Sequence, residues 1–264
     1  MYIKFAVIFL ALSLVMAGCA AKSNVPEFKT QYYSKCYDPI NFLCKQRDNS
    51  ELKSGLIWGA IAGLATGTVT YLLTGKMSQA AVAAGVAALA VGSVGYFTAR
   101  ISKNKERDAR LAEYQKYLGE NSQGWDVERT AVEAAYKCYR EQIQELKTLA
   151  KGKRISREEF MARMNDIKAG VEHINTYWAD AQTRMDTRLA DGEKFLAEQE
   201  EADKKLAAGR QRAARAQLMA QRTNTQRQRA QKDKDVANIN TLKNDTEADL
   251  KSLDTYFTTS EYFG

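Results

Sequence analysis

Two apolar seams at helical spacing run through the middle of the chain. Val132, Tyr136, Tyr139, Ile143, Leu146 and Ala150 alternate steps of four and three, and Phe160, Met164, Ile167, Val171, Ile174, Trp178, Ala181 and Met185 repeat the alternation. Such steps keep every seam residue on one face of a helix. Gly152-Lys153-Arg154 ends the first helix, and Ser156 with Glu159 three residues on makes a capping box that opens the second. Two seams facing across a short turn predict an antiparallel coiled-coil hairpin, with the aromatic and Met residues as its core rather than as a ligand box. Continued through Lys234, the second helix would hold about 78 residues and reach on the order of 115 Å. Its distal part would have to pair with another chain or region, or stand exposed. Upstream, Gly119-Glu120-Asn121-Ser122-Gln123-Gly124 predicts a turn that ends a charged helix over 100–118. Downstream, Val236, Ile239, Leu242, Leu250 and Leu253 predict a last amphipathic helix, followed by Tyr256, Phe257, Tyr262 and Phe263. Proline occurs only at Pro26 and Pro39, so nothing later interrupts a helix on that ground. The fold class expected is all-α.

A different pattern occupies residues 54–99. Lys53, Lys76 and Arg100 bracket two uncharged runs, of 22 and 23 residues. At about 1.5 Å per residue each spans roughly 33 Å, enough to cross a hydrocarbon core of about 30 Å. The first run spaces Gly55, Gly59, Gly63 and Gly67 by four, and the second spaces Ala80, Ala84, Ala88 and Gly92 in the same way. Small residues at that spacing let helix backbones pack closely in lipid, where apolar burial gives helices no reason to associate. The reading is a transmembrane hairpin turning near Gly75-Lys76, pairing within itself and with copies of itself. The alternative is a buried Ala/Gly-rich hairpin inside a helical protein. Gly, Ala, Ser and Thr dilute the residues that most favour lipid, so such arms would escape being stopped during export.

The chain opens with Lys4 and an apolar run, FAVIFLALSLVM, in the layout of a secretory signal peptide over residues 1–18. Met16-Ala17-Gly18-Cys19 resembles the lipobox of bacterial lipoproteins, in which small residues precede a cysteine that is acylated and becomes the new N-terminus. That resemblance implies covalent diacylglycerol and an N-acyl chain at Cys19, and no other cofactor is expected. Acyl chains anchor because each buried CH₂ contributes about 0.8 kcal/mol, and more than one chain makes the attachment stable. Ala20 is not the Asp that marks inner-membrane retention in enterobacterial lipoproteins, so the resemblance implies the outer membrane, with the inner membrane as the alternative.

Charge and reactive residues narrow the picture further. The formal net charge is +7, and His173 is the one histidine. No second histidine and no clustered His/Cys/carboxylate spacing accompanies it, so neither a metal site nor a nucleophile and base pair is expected, and the chain reads as no enzyme. His173 reads as structural or solvent-exposed. In an oxidising compartment Cys36 and Cys44, flanking Pro39, are the pair expected to close a local disulfide, pinning an irregular tether over 19–53. Cys138 would then be a buried thiol or form an intermolecular bond. Residues 209–231 contain Arg210, Arg212, Arg215, Arg222, Arg227 and Arg229 and no acid. They are candidates for binding anions, the other reading being a solvated helix face. Export removes the chain from cytoplasmic nucleic acid. The anions in view are lipopolysaccharide, phospholipid head groups, cell-wall carboxylates or an acidic envelope partner.

The lipobox at Cys19 and the paired zipper runs together resemble the glycine-zipper lipoproteins of the Gram-negative outer membrane, over roughly residues 1–100. The resemblance implies an envelope lipoprotein that homo-oligomerises through its zippers. The expected organisation is a signal peptide over 1–18, a lipidated tether over 19–53, a membrane hairpin over 54–99, periplasmic coiled-coil helices over 100–235 and an amphipathic helix with an aromatic tail over 236–264. Three roles fit it: a structural or partner-binding envelope protein, a subunit of an envelope-spanning secretion or conjugation assembly, and a membrane-active effector or exclusion factor.

Overall fold

The computed structural model describes residues 29–49, 101 and 106–259. The stretch 1–18 read as a signal peptide, Cys19, the stretch 54–99 read as a zipper hairpin and the last five residues lie outside the described residues. Four helices make up the rest: α1 (Ser34–Asn49), α2 (Arg107–Lys151), α3 (Arg157–Asp203) and α4 (Ala208–Thr259). Among the described residues there is no strand, as an all-α chain requires.

The three long helices, of 45, 47 and 52 residues, run about 70 to 80 Å and lie side by side. Their directions follow from the pairs that touch. Arg107 meets Asp203 at one end of α2 and α3, and Tyr136 meets Asn175 further along, so α2 and α3 are antiparallel. Arg229 reaches Glu193 and Lys168 reaches Asp254, which makes α4 antiparallel to α3. Tyr114 pairs with Thr225 and Trp125 with Asp235, so α4 runs parallel to α2. Every residue of both predicted seams is buried. The core extends to Ile239, Leu250 and Leu253 of α4, and a second cluster of Ile101, Leu111, Tyr114, Phe195, Leu196 and Leu218 fills the end where α2 begins.

The α2–α3 turn follows its local chemistry. Gly152 donates to the Thr148 carbonyl at 3.0 Å, Lys153 takes a positive φ of 54°, and the Ser156 side chain accepts from the Glu159 amide at 3.2 Å. Two other boundaries differ from the expected ones. The Gly119–Gly124 stretch is helical within α2, because Leu118, Asn121, Gly124 and Trp125 all face the core. Trp125 stacks on Trp178 with ring centroids 4.7 Å apart and donates from Nε1 to Asp235 Oδ2 at 2.9 Å. Burial of Leu118 and Trp125, at about 1.5–3 kcal/mol each, outweighs two helical glycines at about 1 kcal/mol each. The helix expected to continue to Lys234 instead stops at Asp203. The chain turns through Lys204–Ala207 and returns as α4, a single helix with no break before Val236. Folding back covers the third side of the bundle, so the distal part pairs with its own chain.

The tether also differs from expectation. Pro39 lies inside α1, not at a turn. Cys36 and Cys44 therefore stand eight residues apart on one helix, about 12 Å along its axis, too far for a disulfide, whose Cα atoms lie at most about 6.8 Å apart. Cys36 bonds instead to Cys138 of α2, with Cα atoms 5.3 Å apart, and Cys44 is buried outside that bond. The Asp166 carboxylate holds the entry to α1. It accepts from the amides of Gln31, Tyr32 and Tyr33 at 3.2, 3.0 and 3.3 Å and from the Thr30 hydroxyl. Tyr37, Ile40 and Leu43 bury against the bundle.

Two glycines carry opposite expectations. A Cβ on Gly170 would overlap the Tyr139 hydroxyl and ring, whereas one on Gly119 meets nothing within 4 Å. Gly170→Ala should lower stability by about 1–3 kcal/mol through overpacking, and Gly119→Ala should raise it by up to about 1 kcal/mol, both read from urea unfolding of the full chain in detergent. The disulfide is checked by thiol counting under denaturing, non-reducing conditions. Cys44→Ser should leave no reactive thiol among Cys36, Cys44 and Cys138, whereas Cys138→Ser should leave two.

Candidate functional site

The candidate site is the arginine-rich first half of α4, and its geometry divides the six arginines into two groups. Acidic residues of α3 at Asp186, Glu193 and Glu200 repeat every seven positions, which returns them to one flank of the helix after two turns. Facing them across the α3–α4 boundary are Lys232, Arg229 and Arg222. Lys232 Nζ lies 2.5 Å from Asp186 and Arg229 3.1 Å from Glu193, and Arg222 pairs with Glu200. Arg222 and Arg229 are thus already engaged by carboxylates of their own chain. Arg210, Arg212, Arg215 and Arg227 are exposed, and among the described residues no acidic side chain pairs with them.

A groove of about 430 Å³ lies between the end of α3 and the start of α4, lined by Glu200, Asp203, Lys204, Gln211, Arg215, Leu218, Met219 and Arg222. Leu218 forms its floor, while Met219 is 55% exposed. A smaller hollow of about 240 Å³ adjoins it across Arg222, beside Glu193, Leu196, Thr225 and Gln226. Asp203 at the rim is committed to structure. Arg107 donates to both its carboxylate oxygens, Nε to Oδ1 at 2.6 Å and Nη2 to Oδ2 at 2.8 Å, and to the Ala214 carbonyl at 3.0 Å. Hydrogen bonding to Asp203 raises the Arg107 pKa above its ordinary value against the cost of desolvation. This clamp holds the starts of α2 and α4 to the end of α3. The groove presents Arg215 and Met219 over an apolar floor, a surface suited to an anionic group carrying apolar mass.

His173 packs edge-on against Tyr37, ring centroids 5.9 Å apart. Burial lowers its pKa, with Glu172 opposing, so it acts as a packing residue for α1. Among the described residues no three His, Cys, Asp or Glu side chains gather as a metal site would need. None of the described helices is long and apolar enough to cross a membrane. Cys19, Gly55, Gly59, Gly63, Gly67, Ala80, Ala84, Ala88 and Gly92 all lie outside the described residues. Sequence reading missed the acidic partners on α3, although their seven-residue repeat matches that of Arg222 and Arg229. It also missed exposed Met219, which no periodicity distinguishes. Compared with known family models, curated proteins and solved structures, the chain matches none.

The division among the arginines is measurable. Arg222→Gln and Arg229→Gln should each cost up to about 1 kcal/mol, the range of exposed ion pairs. Gln at positions 210, 212, 215 and 227 should leave stability within about 0.5 kcal/mol, both read from urea midpoints.

Proposed function

We propose that this is a lipid-anchored envelope protein, attached through Cys19, that oligomerises through an intramembrane zipper hairpin over 54–99 and presents its helical bundle outside the bilayer to an anionic partner. The observation that carries the reading is the Cys36–Cys138 bond. Structural disulfides belong to oxidising compartments, and this one joins the segment before the hairpin to the helix after it. Export by the signal peptide and acylation at Cys19 agree with that compartment. The bundle has the form of a partner-binding element rather than a reaction centre: two adjoining grooves flank the arginines of α4, and among the described residues no acid pairs with four of those arginines. Arginine suits a carboxylate or phosphate partner because its planar fork donates two parallel hydrogen bonds.

In the bilayer, Gly55, Gly59, Gly63 and Gly67 would form one packing face and Ala80, Ala84, Ala88 and Gly92 the other. The outer membrane is the destination proposed, with the bundle in the periplasm. Gly59→Leu or Gly63→Leu should abolish detergent-stable oligomers on size-exclusion chromatography while acylation of Cys19, read by mass spectrometry, is unchanged. Oligomers that survive both substitutions remove the zipper from the proposal.

A further inference from the structure

Three of the places where the chain leaves the described bundle lead to the proposed anchor and hairpin, and their heights along its axis differ. Thr30 sits at the level of Asp166, 37 residues before Asp203 on α3, so it lies about 55 Å from the Arg107–Asp203 end. From Tyr33 at Asp166 to Tyr37 at His173, α1 advances in the direction of α3. Its last residue, Asn49, therefore lies about 27 Å from the Arg107 end, roughly midway. Arg107 itself marks that end.

Covalent reach limits how these three points can stand above one bilayer. A chain spans at most about 3.6 Å per residue. From Cys19, Thr30 is no further than about 40 Å. From Ser54, Asn49 is within about 18 Å, and from Ala99, Arg107 is within about 29 Å. A bundle standing on its Arg107 end would lift Thr30 to about 55 Å and Asn49 to about 27 Å, beyond both limits. Standing on its α2–α3 turn would lift Arg107 to about 68 Å, beyond the third. Only an axis within about 45° of the membrane plane satisfies all three.

The side that faces the bilayer follows from the helix faces. Cys138 holds α1 and Arg140, two residues on, reaches Asp249 of α4. His173 touches Tyr37 of α1, while Asn175 reaches Glu247 of α4. Two residues turn a helix by about 200°, so α1 and α4 occupy opposite grooves of the α2–α3 pair. Thr30 and Asn49 both belong to the α1 side, and exposed Tyr32 borders it, an aromatic of the kind enriched at membrane interfaces.

Resting on the anchor and hairpin proposed above, we propose that the bundle lies along the membrane surface on its α1 face, with the lipid headgroup layer as the partner of that face and the α4 arginines turned away from it. A flank lying on lipid leaves Arg210, Arg212, Arg215 and Arg227 free for a second, anionic surface. The protein would hold a partner across its own thickness rather than at the tip of a stalk.

The test uses the full acylated chain carrying Cys44→Ser, which preserves the Cys36–Cys138 bond, reconstituted in vesicles of phosphatidylethanolamine and phosphatidylglycerol doped with an acceptor-labelled lipid. A donor dye is placed through Lys153→Cys, Lys205→Cys, Lys35→Cys or Arg212→Cys. Lying flat gives energy transfer from positions 153 and 205 that agrees within about twofold, and stronger transfer from 35 than from 212. Transfer from 153 at least fivefold below that from 205, or the reverse, is the signature of a standing bundle and overturns the proposal. Transfer from 212 equal to or above that from 35 overturns the choice of face. Alkaline carbonate extraction of the Cys19→Ala chain isolates the underlying reading. Retention in the membrane supports the hairpin, whereas release removes the hairpin reading itself, whatever the dyes report.

Discussion

The apolar face of α3 is broader than one partner can cover, and that constraint shapes the bundle. The seam of α3 from Phe160 to Leu196 is buried along its whole length, which takes α2 on one flank and α4 on the other. Close approach of α2 is set by tyrosines seated over glycines: Tyr139 over Gly170 and Tyr114 over Gly192. A glycine in a helix interior costs about 1 kcal/mol, and here each one makes room for a ring whose burial is worth more. The Arg107 clamp on Asp203 then closes the end at which α2, α3 and α4 all terminate or begin.

The parts of this fold legible in the sequence are those decided locally. Val132 to Ala150 and Phe160 to Met185 keep one period over several turns, and the Ser156 and Glu159 cap acts within four residues, so both helices and their turn follow from spacing. The misread places are decided at long range. Gly119 to Gly124 carries turn residues, yet the stretch is held helical by Trp125 against Trp178 and Asp235, contacts from elements 53 and 110 positions away. The end of α3 at Asp203 has no proline and no glycine before Gly209. What sets it is the gain from returning α4 over the uncovered side, a term that no local window contains.

The cysteines illustrate the same division. Proximity in sequence favoured Cys36 with Cys44, and it would have held if Pro39 made a turn. Inside a helix the same eight residues keep the thiols apart, and Cys138, 102 positions along the chain, becomes the partner. On α4 the arginines look alike in sequence. Their roles separate only when the register brings Glu193 and Glu200 of α3 opposite Arg229 and Arg222 and leaves the other four facing outward. The matching heptad spacing on the two helices was present to be read, but it means something only once the helices are known to be antiparallel neighbours.

The long disulfide also bears on how the proposed envelope protein would be assembled. Residues 50–105 lie between α1 and α2 in the sequence, so in the proposed protein Cys36 would meet Cys138 only after the intervening segment had been exported. In the chain-entropy picture a cross-link closing about 100 residues stabilises the fold by about 4–5 kcal/mol, mostly by restricting the unfolded chain. That contribution falls on α1, a helix of 16 residues with Pro39 inside it, which costs helix stability and leaves α1 otherwise dependent on Asp166 and a few buried side chains. Locking α1 to α2 sets a fixed separation between Asn49 and Arg107, the two points from which the zipper runs depart. The linkers to the proposed hairpin reach at most about 18 Å and about 29 Å, together more than the roughly 27 Å between those points, so the two arms would still be able to pair with each other as well as with copies of the chain.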